Sequence, residues 1–172
     1  MRVRLVVLGA APTRLAAAVL AALPPPLTGL PGGQQKAPEA ACLNRRRGQM
    51  DALCVLGTLP EPPADEVITA ITGIDLFAAP LAYVFGLSEL GSRRSVVSWA
   101  RLTDGGGASA ALLAARLTTE VVHEVGHALG LVHCPVPDCA MHRSFWAEAV
   151  DLKRAAYCRL CLEALDKEGS RQ

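Results

Sequence analysis

Aromatic side chains and long apolar runs are both scarce in this sequence, and each absence excludes a class of protein. Aromatic residues make up 4% of the 172 residues, so a core must be built mainly from alanine, leucine and valine. No stretch of about 20 consecutive apolar residues is present, which is the length that a membrane-spanning helix requires. We therefore expect no membrane partner. The hydrophobic fraction of 51% is nevertheless high enough for a folded core.

The sequence also has no excess of charge of either sign. It carries 17 Lys and Arg against 16 Asp and Glu, which gives a formal net charge of +1. This balance gives no electrostatic reason to expect a nucleic-acid partner. The single basic cluster, Arg45, Arg46 and Arg47, is too short to change this expectation, and we interpret it as a solvated face near a helix start.

The N-terminus predicts a strand and a helix rather than a targeting signal. Arg2 and Arg4 precede an apolar run, as in a signal peptide, but a Pro-Thr-Arg segment at residues 12–14 interrupts that run early. We predict a buried strand over residues 3–9 and a helix over residues 13–23, with a cleaved signal peptide as the alternative. Without a signal the protein is expected to be cytoplasmic, where thiols stay reduced.

Hydrophobic patterning predicts an α/β first half followed by helices. A Pro/Gly-rich stretch over residues 24–41 favours a loop or a poor edge strand. The elements predicted after it are a helix at 46–59, strands at 66–74, 81–86 and 95–102, a long helix at 108–129, and short helices at 144–155 and 159–167. The short connection around residues 91–94 makes the last two strands antiparallel neighbours. Three glycines at 105–107 lack the Lys of a phosphate-binding loop, so we expect a flexible connection there.

A cluster of histidines with one glutamate is the strongest chemical signal in the chain. Three of the four histidines are His123, His127 and His133. His123 and His127 share one face of a helix, where both can bind one metal ion. Gly130 can end that helix, so that His133 returns as the third ligand. Three protein ligands leave a fourth position for water, which distinguishes a catalytic zinc site from a structural one. Glu124 can reach that water as general base.

This long motif is typical of metzincin peptidases. It predicts a zinc-dependent peptidase in which Glu124 transfers a proton from the zinc-bound water to the leaving amine. Peptide or protein substrates would lie extended in a cleft, along the strand predicted at residues 81–86. A ligand set indicates that metal binds, and does not by itself indicate hydrolysis. A non-catalytic zinc protein that binds peptides or a partner in the same cleft is therefore the alternative.

Four cysteines form a second candidate metal site after the histidines. Cys134 and Cys139 are followed by the pair Cys158 and Cys161, a spacing that favours a structural zinc ion with four thiolate ligands. Two disulfides or a redox-active Cys-x-x-Cys pair are the alternatives. A reducing cytoplasm argues against disulfides, and the strand that precedes a thioredoxin-like pair is not predicted here.

Four further residues bear on the interpretation of these two sites. Met141 follows the third histidine closely, where metzincins have a Met-containing turn beneath the zinc. His142 is expected to be a surface or turn residue. Cys42 and Cys54 stand apart from the other cysteines and are expected to be ordinary buried thiols.

Together these motifs resemble the archaemetzincin family. The resemblance rests on the histidine motif running directly into the cysteine set with Met141 between its members, because ordinary metzincins lack those cysteines. Upstream segments at residues 47–49, 71–77, 83–86 and 95–102 resemble the family as well.

The resemblance implies a single metallopeptidase domain over residues 1–172, with an α/β (α+β), metzincin-like fold. Residues 1–130 would contain a mixed, twisted sheet with an antiparallel edge strand, and would end in the long active-site helix. Residues 131–172 would form a small C-terminal lobe held by zinc. It also implies two zinc ions per chain, a catalytic one at the three histidines and a structural one at the four cysteines, with Glu124 as the general base.

Overall fold

The computed structural model describes residues 1–12, 14–103 and 107–169. Thr13, at the start of the first predicted helix, lies outside the described residues, as do the first two of the three consecutive glycines. The strands are β1 (Arg2–Leu8), β2 (Thr28–Gln35), β3 (Leu43–Asn44), β4 (Gln49–Asp51), β5 (Glu66–Thr72), β6 (Leu76–Phe77), β7 (Gly86–Ser88) and β8 (Arg94–Ser98). The helices are α1 (Leu15–Ala21), α2 (Glu39–Cys42), α3 (Ala52–Thr58), α4 (Ala110–Ala128), α5 (Ala147–Val150) and α6 (Arg159–Gly169).

Five strands form the main sheet in the order β2-β1-β5-β8-β7. The first four are parallel, and β7 pairs antiparallel with β8 at the edge. This topology confirms the predicted mixed sheet with an antiparallel edge strand. A smaller sheet of β3, β4 and β6 lies beside it.

The central strand β5 is buried along its whole length, as expected of a parallel strand covered on both faces. Because side chains alternate across a strand, Val67 and Ile71 join one core with α1 and α4. Ile68 and Ala70 join a second core with α3 on the opposite face. The sheet is therefore the middle layer between two hydrophobic cores.

The long helix α4 agrees closely with its predicted range. Ser109 caps its N-terminus by accepting a hydrogen bond from the Leu112 N–H at 3.2 Å. From Arg116 onward nearly every residue of α4 is buried, so its C-terminal half is held between the sheet and the C-terminal segment.

Among the described residues, no helix has both the length and the apolar character needed to cross a membrane.

Residues 46–59 do not form the single helix that was predicted. Residues 43–51 form a β-hairpin, β3 and β4, and α3 begins only at Ala52. The Asp51 carboxylate caps α3 by accepting hydrogen bonds from the N–H groups of Leu53 and Cys54. The three arginines therefore lie in the hairpin turn, exposed, and not at a helix start.

The observed strands differ from the predicted ones in two further segments. The Pro/Gly-rich stretch contains the edge strand β2, where Pro31 is tolerated because an edge strand has one unpaired side. The strand predicted at 81–86 is wrong, since the antiparallel strand begins at Gly86 and residues before it form only an isolated bridge between Val84 and Leu76. The observed strand, β7, nevertheless pairs antiparallel with β8, as predicted.

Cys42 and Cys54 are joined by a disulfide, so the prediction of two ordinary thiols is wrong. They lie 12 positions apart, at the end of α2 and in the first turn of α3, and their Cα atoms are 5.5 Å apart. The packing of α2 against α3 creates this proximity, which no local sequence pattern indicates. Disulfides are rare in reducing compartments, so this bond does not support the expected cytoplasmic location, which stays a prediction.

The C-terminal segment is fastened to α4 by buried ion pairs. Lys153 donates hydrogen bonds from Nζ to Glu120 Oε1 at 2.9 Å and to the carbonyl oxygens of Ala140 and His142 at 3.3 and 3.1 Å. The side chains of Lys153 and Glu120 are 1% and 4% exposed. Arg116, one turn before Glu120 on α4, donates two hydrogen bonds to the Asp151 carboxylate of the C-terminal segment.

We expect Lys153→Met to lower the free energy of unfolding by about 3–5 kcal/mol, because it leaves the Glu120 carboxylate buried without a cation. The double variant Glu120→Leu/Lys153→Met should recover most of that loss, since neither charge is then buried. Urea denaturation followed by circular dichroism measures both.

Arg154→Met is the matched control, because Arg154 lies next to Lys153 and pairs with Asp138 while 67% exposed. Its cost should be no more than about 1 kcal/mol. If Lys153→Met costs no more than this control, the buried pair does not hold the segment in place.

Candidate active site

The three histidines of the motif lie together at the end of α4. His123 and His127 are four residues apart on the helix, and their Nε2 atoms are 3.2 Å from each other. Gly130 follows the helix with φ of 97° and lets the chain reverse, as predicted. The reversal brings the His133 ring centroid to 5.3 Å from that of His123 and 4.7 Å from that of His127.

Backbone carbonyl groups orient two of the imidazoles. Nδ1 of His123 lies 2.7 Å from the Ala140 oxygen, and Nδ1 of His127 lies 2.7 Å from the Leu131 oxygen. A carbonyl oxygen only accepts, so each Nδ1 carries the proton and each Nε2 lone pair is free. Metal-binding histidines are commonly oriented by a hydrogen bond of this kind.

Desolvation and nearby positive charge keep the histidines uncharged, which is the form that binds metal. Desolvation lowers the pKa of His123 well below its ordinary value and also lowers the pKa of His127. At His133, desolvation and then repulsion from His127 and Arg143 lower the pKa to about 4. All three imidazoles are therefore neutral at pH 7.

Glu124 is a buried carboxylate beside the histidines. Burial, followed by repulsion from Glu120, raises the pKa of Glu124 to about 8. Ser88 on the edge strand opposes this shift, because its hydroxyl lies 2.9 Å from Oε2 and can donate to the ionised form. A divalent cation at the histidines would favour the ionised form further. The environment therefore suits a group that takes up and releases a proton near neutral pH.

Met141 packs directly against α4, within the histidine motif. Its side chain is fully buried, and a Cβ added at Gly126 would fall 2.3 Å from the Met141 sulfur. Any larger residue at position 126 would therefore displace Met141 or the helix. The glycine inside the histidine motif is thus explained by the close approach of Met141, a relation that sequence reasoning missed.

A cleft of about 760 Å³ opens in front of these groups. One wall consists of residues 81–88, which include the edge strand β7, and the other contains residues 143–145. The three histidines, Glu120 and Glu124 all line the cleft, whereas the fourth histidine, His142, is not among the described lining residues. His142 lies half-buried in the turn after Met141, with Nδ1 3.0 Å from the Cys134 oxygen.

The four remaining cysteines form a compact cluster behind the cleft. The sulfurs of Cys134 and Cys158 are 3.7 Å apart, and those of Cys139 and Cys161 are also 3.7 Å apart. These distances are far longer than a disulfide bond of about 2.05 Å, so the four residues are thiols and not two disulfides. All four sulfurs lie within 4.8 Å of one another.

Several residues in and around the site carried no sequence signal. Ser88 contacts Glu124 from the edge strand, and Lys153 contacts the carbonyl oxygen of Ala140, which also binds His123. Arg143 donates from Nε to Nδ1 of His133 at 3.0 Å. These contacts join positions that are distant along the chain or lie in irregular segments, so no periodic pattern marks them.

Comparison with known proteins identifies the family. The sequence model described as "Peptidase family M54" matches residues 29–167. An archaemetzincin of Archaeoglobus fulgidus is 40% identical over 120 residues, which are 70% of this chain and 71% of the relative. One of Methanocaldococcus jannaschii is 36% identical over 129 residues, or 73% of this chain and 71% of the relative.

Solved structures agree with this result. The crystal structure of the Archaeoglobus fulgidus archaemetzincin, complexed with malonate, matches with a TM-score of 0.83 at 32% identity and covers 95% of this chain and 99% of that one. The Methanopyrus kandleri archaemetzincin matches with a TM-score of 0.84 at 31% identity, covering 99% and 96%. The chain therefore belongs to peptidase family M54, the archaemetzincins, and is a zinc metallopeptidase.

Proposed function

We propose that this peptidase holds its catalytic zinc ion with His123, His127 and His133 and uses Glu124 as the general base. The observation that carries the proposal is the meeting of three neutral imidazoles and one buried carboxylate in a single open cleft. The family assignment favours this function over a non-catalytic zinc protein.

The spacing of the histidine nitrogens fits zinc. In a tetrahedral site with zinc–nitrogen bonds of about 2.05 Å, neighbouring nitrogens lie about 3.3 Å apart. The Nε2 atoms of His123 and His127 are 3.2 Å apart. Both rings are already oriented by backbone carbonyls, so little rearrangement of these two ligands is needed.

The chemistry is divided between the metal and Glu124. When bound, zinc supplies Lewis acidity, which lowers the pKa of a water molecule and polarises a peptide carbonyl. Glu124 accepts the proton of the attacking water and then donates it to the leaving amine. The Ser88 hydroxyl holds the carboxylate toward the cleft while this proton moves.

The substrate would be an extended peptide bound along β7. Among the described strands it is the edge of the sheet and pairs only with β8, which leaves its other side for a peptide backbone. The cleft runs between this edge and residues 143–145, so a bound peptide would pass in front of the histidines.

A second, structural zinc ion would lie at Cys134, Cys139, Cys158 and Cys161. Four sulfurs about 2.3 Å from a tetrahedral zinc ion are about 3.75 Å apart, and the two pairs here are at 3.7 Å. Residues 131–172 would then be a small subdomain of a single domain, fastened to residues 1–130 by this ion. Metal binding would compensate for the little regular structure in this segment.

We expect Glu124→Gln to retain zinc and to lower kcat by about 100-fold to 10,000-fold, because an amide cannot accept the proton of water. Mass spectrometry of a diverse peptide mixture incubated with each purified protein measures cleavage, and elemental analysis measures zinc. The products also show whether cleavage occurs at chain ends or internally.

Glu163→Gln is the control for this variant, since Glu163 is exposed on α6 and pairs only with Arg159 among the described residues. It should cleave like the wild type. Equal cleavage by Glu124→Gln would exclude Glu124 as the base, and absence of cleavage by wild-type protein with full zinc would argue against the peptidase.

We expect the four clustered thiols to be protected from alkylation until a chelator removes the metal. Cys42 and Cys54 provide an internal reference, because their disulfide prevents labelling until a reductant is added. Intact mass should show no added groups in native protein, four after chelation and unfolding, and six after reduction as well.

Rapid labelling of Cys158 and Cys161 before chelation would instead indicate a redox pair. Cys158→Ser/Cys161→Ser should reduce bound zinc from two ions to one per chain, with the remaining ion at the histidines. Retention of two ions by this variant would contradict the four-cysteine site.

A further inference from the structure

Arg143 occupies a distinctive position in the cleft. It is the one Lys or Arg among the described residues that line the cleft, and it is exposed. The lining also includes the exposed apolar side chains of Val132 and Phe145, which are 67% and 66% exposed. In the described lining a single guanidinium therefore shares the cleft with exposed apolar surface and the histidines.

The guanidinium of Arg143 has no carboxylate partner in the part of the chain that the structure describes. Several other arginines do, since Arg101 binds Asp75, Arg116 binds Asp151 and Arg154 binds Asp138. Arg143 instead donates from Nε to Nδ1 of His133. A neutral imidazole is a weak partner for a group that forms its strongest hydrogen bonds with carboxylates.

This contact is incompatible with a metal ion on His133. Guanidinium groups only donate, so Nδ1 must offer its lone pair to Arg143. If Nδ1 binds the metal, that lone pair is used. If Nε2 binds the metal, Nδ1 of a neutral ring carries the proton and cannot accept. With either nitrogen as ligand, Arg143 must turn away from His133 and find another acceptor in the cleft.

We propose that Arg143 binds a carboxylate group of the peptide substrate, next to the bond that is cut. This inference rests on the proposed catalytic site. An extended peptide advances about 3.4 Å per residue, so a group held against the third histidine belongs to one of the first residues beside that bond. The carboxylate is either the free C-terminus of the peptide or an acidic side chain, and apolar side chains would lie beside it on Val132 and Phe145.

Binding to Glu124→Gln loaded with zinc separates recognition from cleavage. The probes are short, N-terminally dansylated alanine- and leucine-containing peptides. One set has no acidic side chain and ends in a free carboxylate or an amide. A second set ends in an amide and carries Glu or Gln at each position in turn. Fluorescence anisotropy gives the affinity for each member.

Three double variants are made by combining Glu124→Gln with Arg143→Gln, Arg143→Lys or Arg45→Gln. The affinity of each double variant for the same peptides is measured in the same way. Arg45 is the matched control, since it is an exposed arginine in the β3–β4 turn, outside the cleft lining, and its loss changes net charge equally. Zinc content is measured for every variant.

We expect peptides with the carboxylate to bind about 10-fold to 100-fold more tightly than their neutral partners, as a charge-assisted hydrogen bond predicts. Arg143→Gln should abolish this preference, Arg143→Lys should keep part of it, and Arg45→Gln should keep all of it. The set that shows the preference identifies the source, the chain end or a side chain.

Equal binding of charged and neutral peptides would overturn the proposal, and so would a preference that survives in Arg143→Gln, because the metal would then be the carboxylate site. Slower cleavage of all peptides by Arg143→Gln without any preference would instead assign Arg143 to the reacting carbonyl. Cleavage of neutral peptides by wild-type protein tests the catalytic site separately, since it does not need Arg143.

Discussion

The carbonyl group of Ala140 links the C-terminal segment to the active-site helix at the histidines. Its oxygen accepts hydrogen bonds from Nδ1 of His123 and from the buried ammonium of Lys153. Lys153 is fixed in turn by Glu120, one turn of α4 before His123. The orientation of the His123 imidazole, a proposed zinc ligand, therefore depends on an ion pair between residues 33 positions apart.

This arrangement explains how a segment with little regular structure can hold a precise site. Residues 131–158 contain only one short helix, and the segment is held by irregular backbone hydrogen bonds, such as those from the Cys134 N–H to the Met141 oxygen and from the Ala140 N–H to the Ala156 oxygen. Contacts with α4 add to this order: the Lys153 ammonium, the Tyr157 hydroxyl bound to the Val122 oxygen at 2.8 Å, and Met141 packed against Gly126. The cysteine cluster closes the same segment from behind, and metal there would add to this order.

The sequence was informative where structure is local and much less so where it depends on distant contacts. Helix α4 and its histidines follow from helical spacing and from Gly130, so they could be predicted closely. The hairpin at residues 43–51 and the Cys42–Cys54 disulfide depend on which elements pack together. Local propensity favoured a helix at the hairpin, and the isolation of the two cysteines from the other four favoured free thiols. Lys153 and Arg143 lie in irregular segments, where no periodicity distinguishes a buried or functional cation from a surface one.

The two sides of the histidine site differ in rigidity and exposure, and this difference bears on substrate recognition. His123 and Glu124 are buried on a helix whose surroundings fix them, which suits groups that must hold metal and move a proton with little reorganisation. His133 and Arg143 lie on exposed segments of the cleft. If His133 binds metal as proposed, its hydrogen bond with Arg143 would be lost, and the guanidinium would be free to bind another acceptor in the cleft. Completion of the proposed metal site would then also prepare the surface proposed to select the peptide.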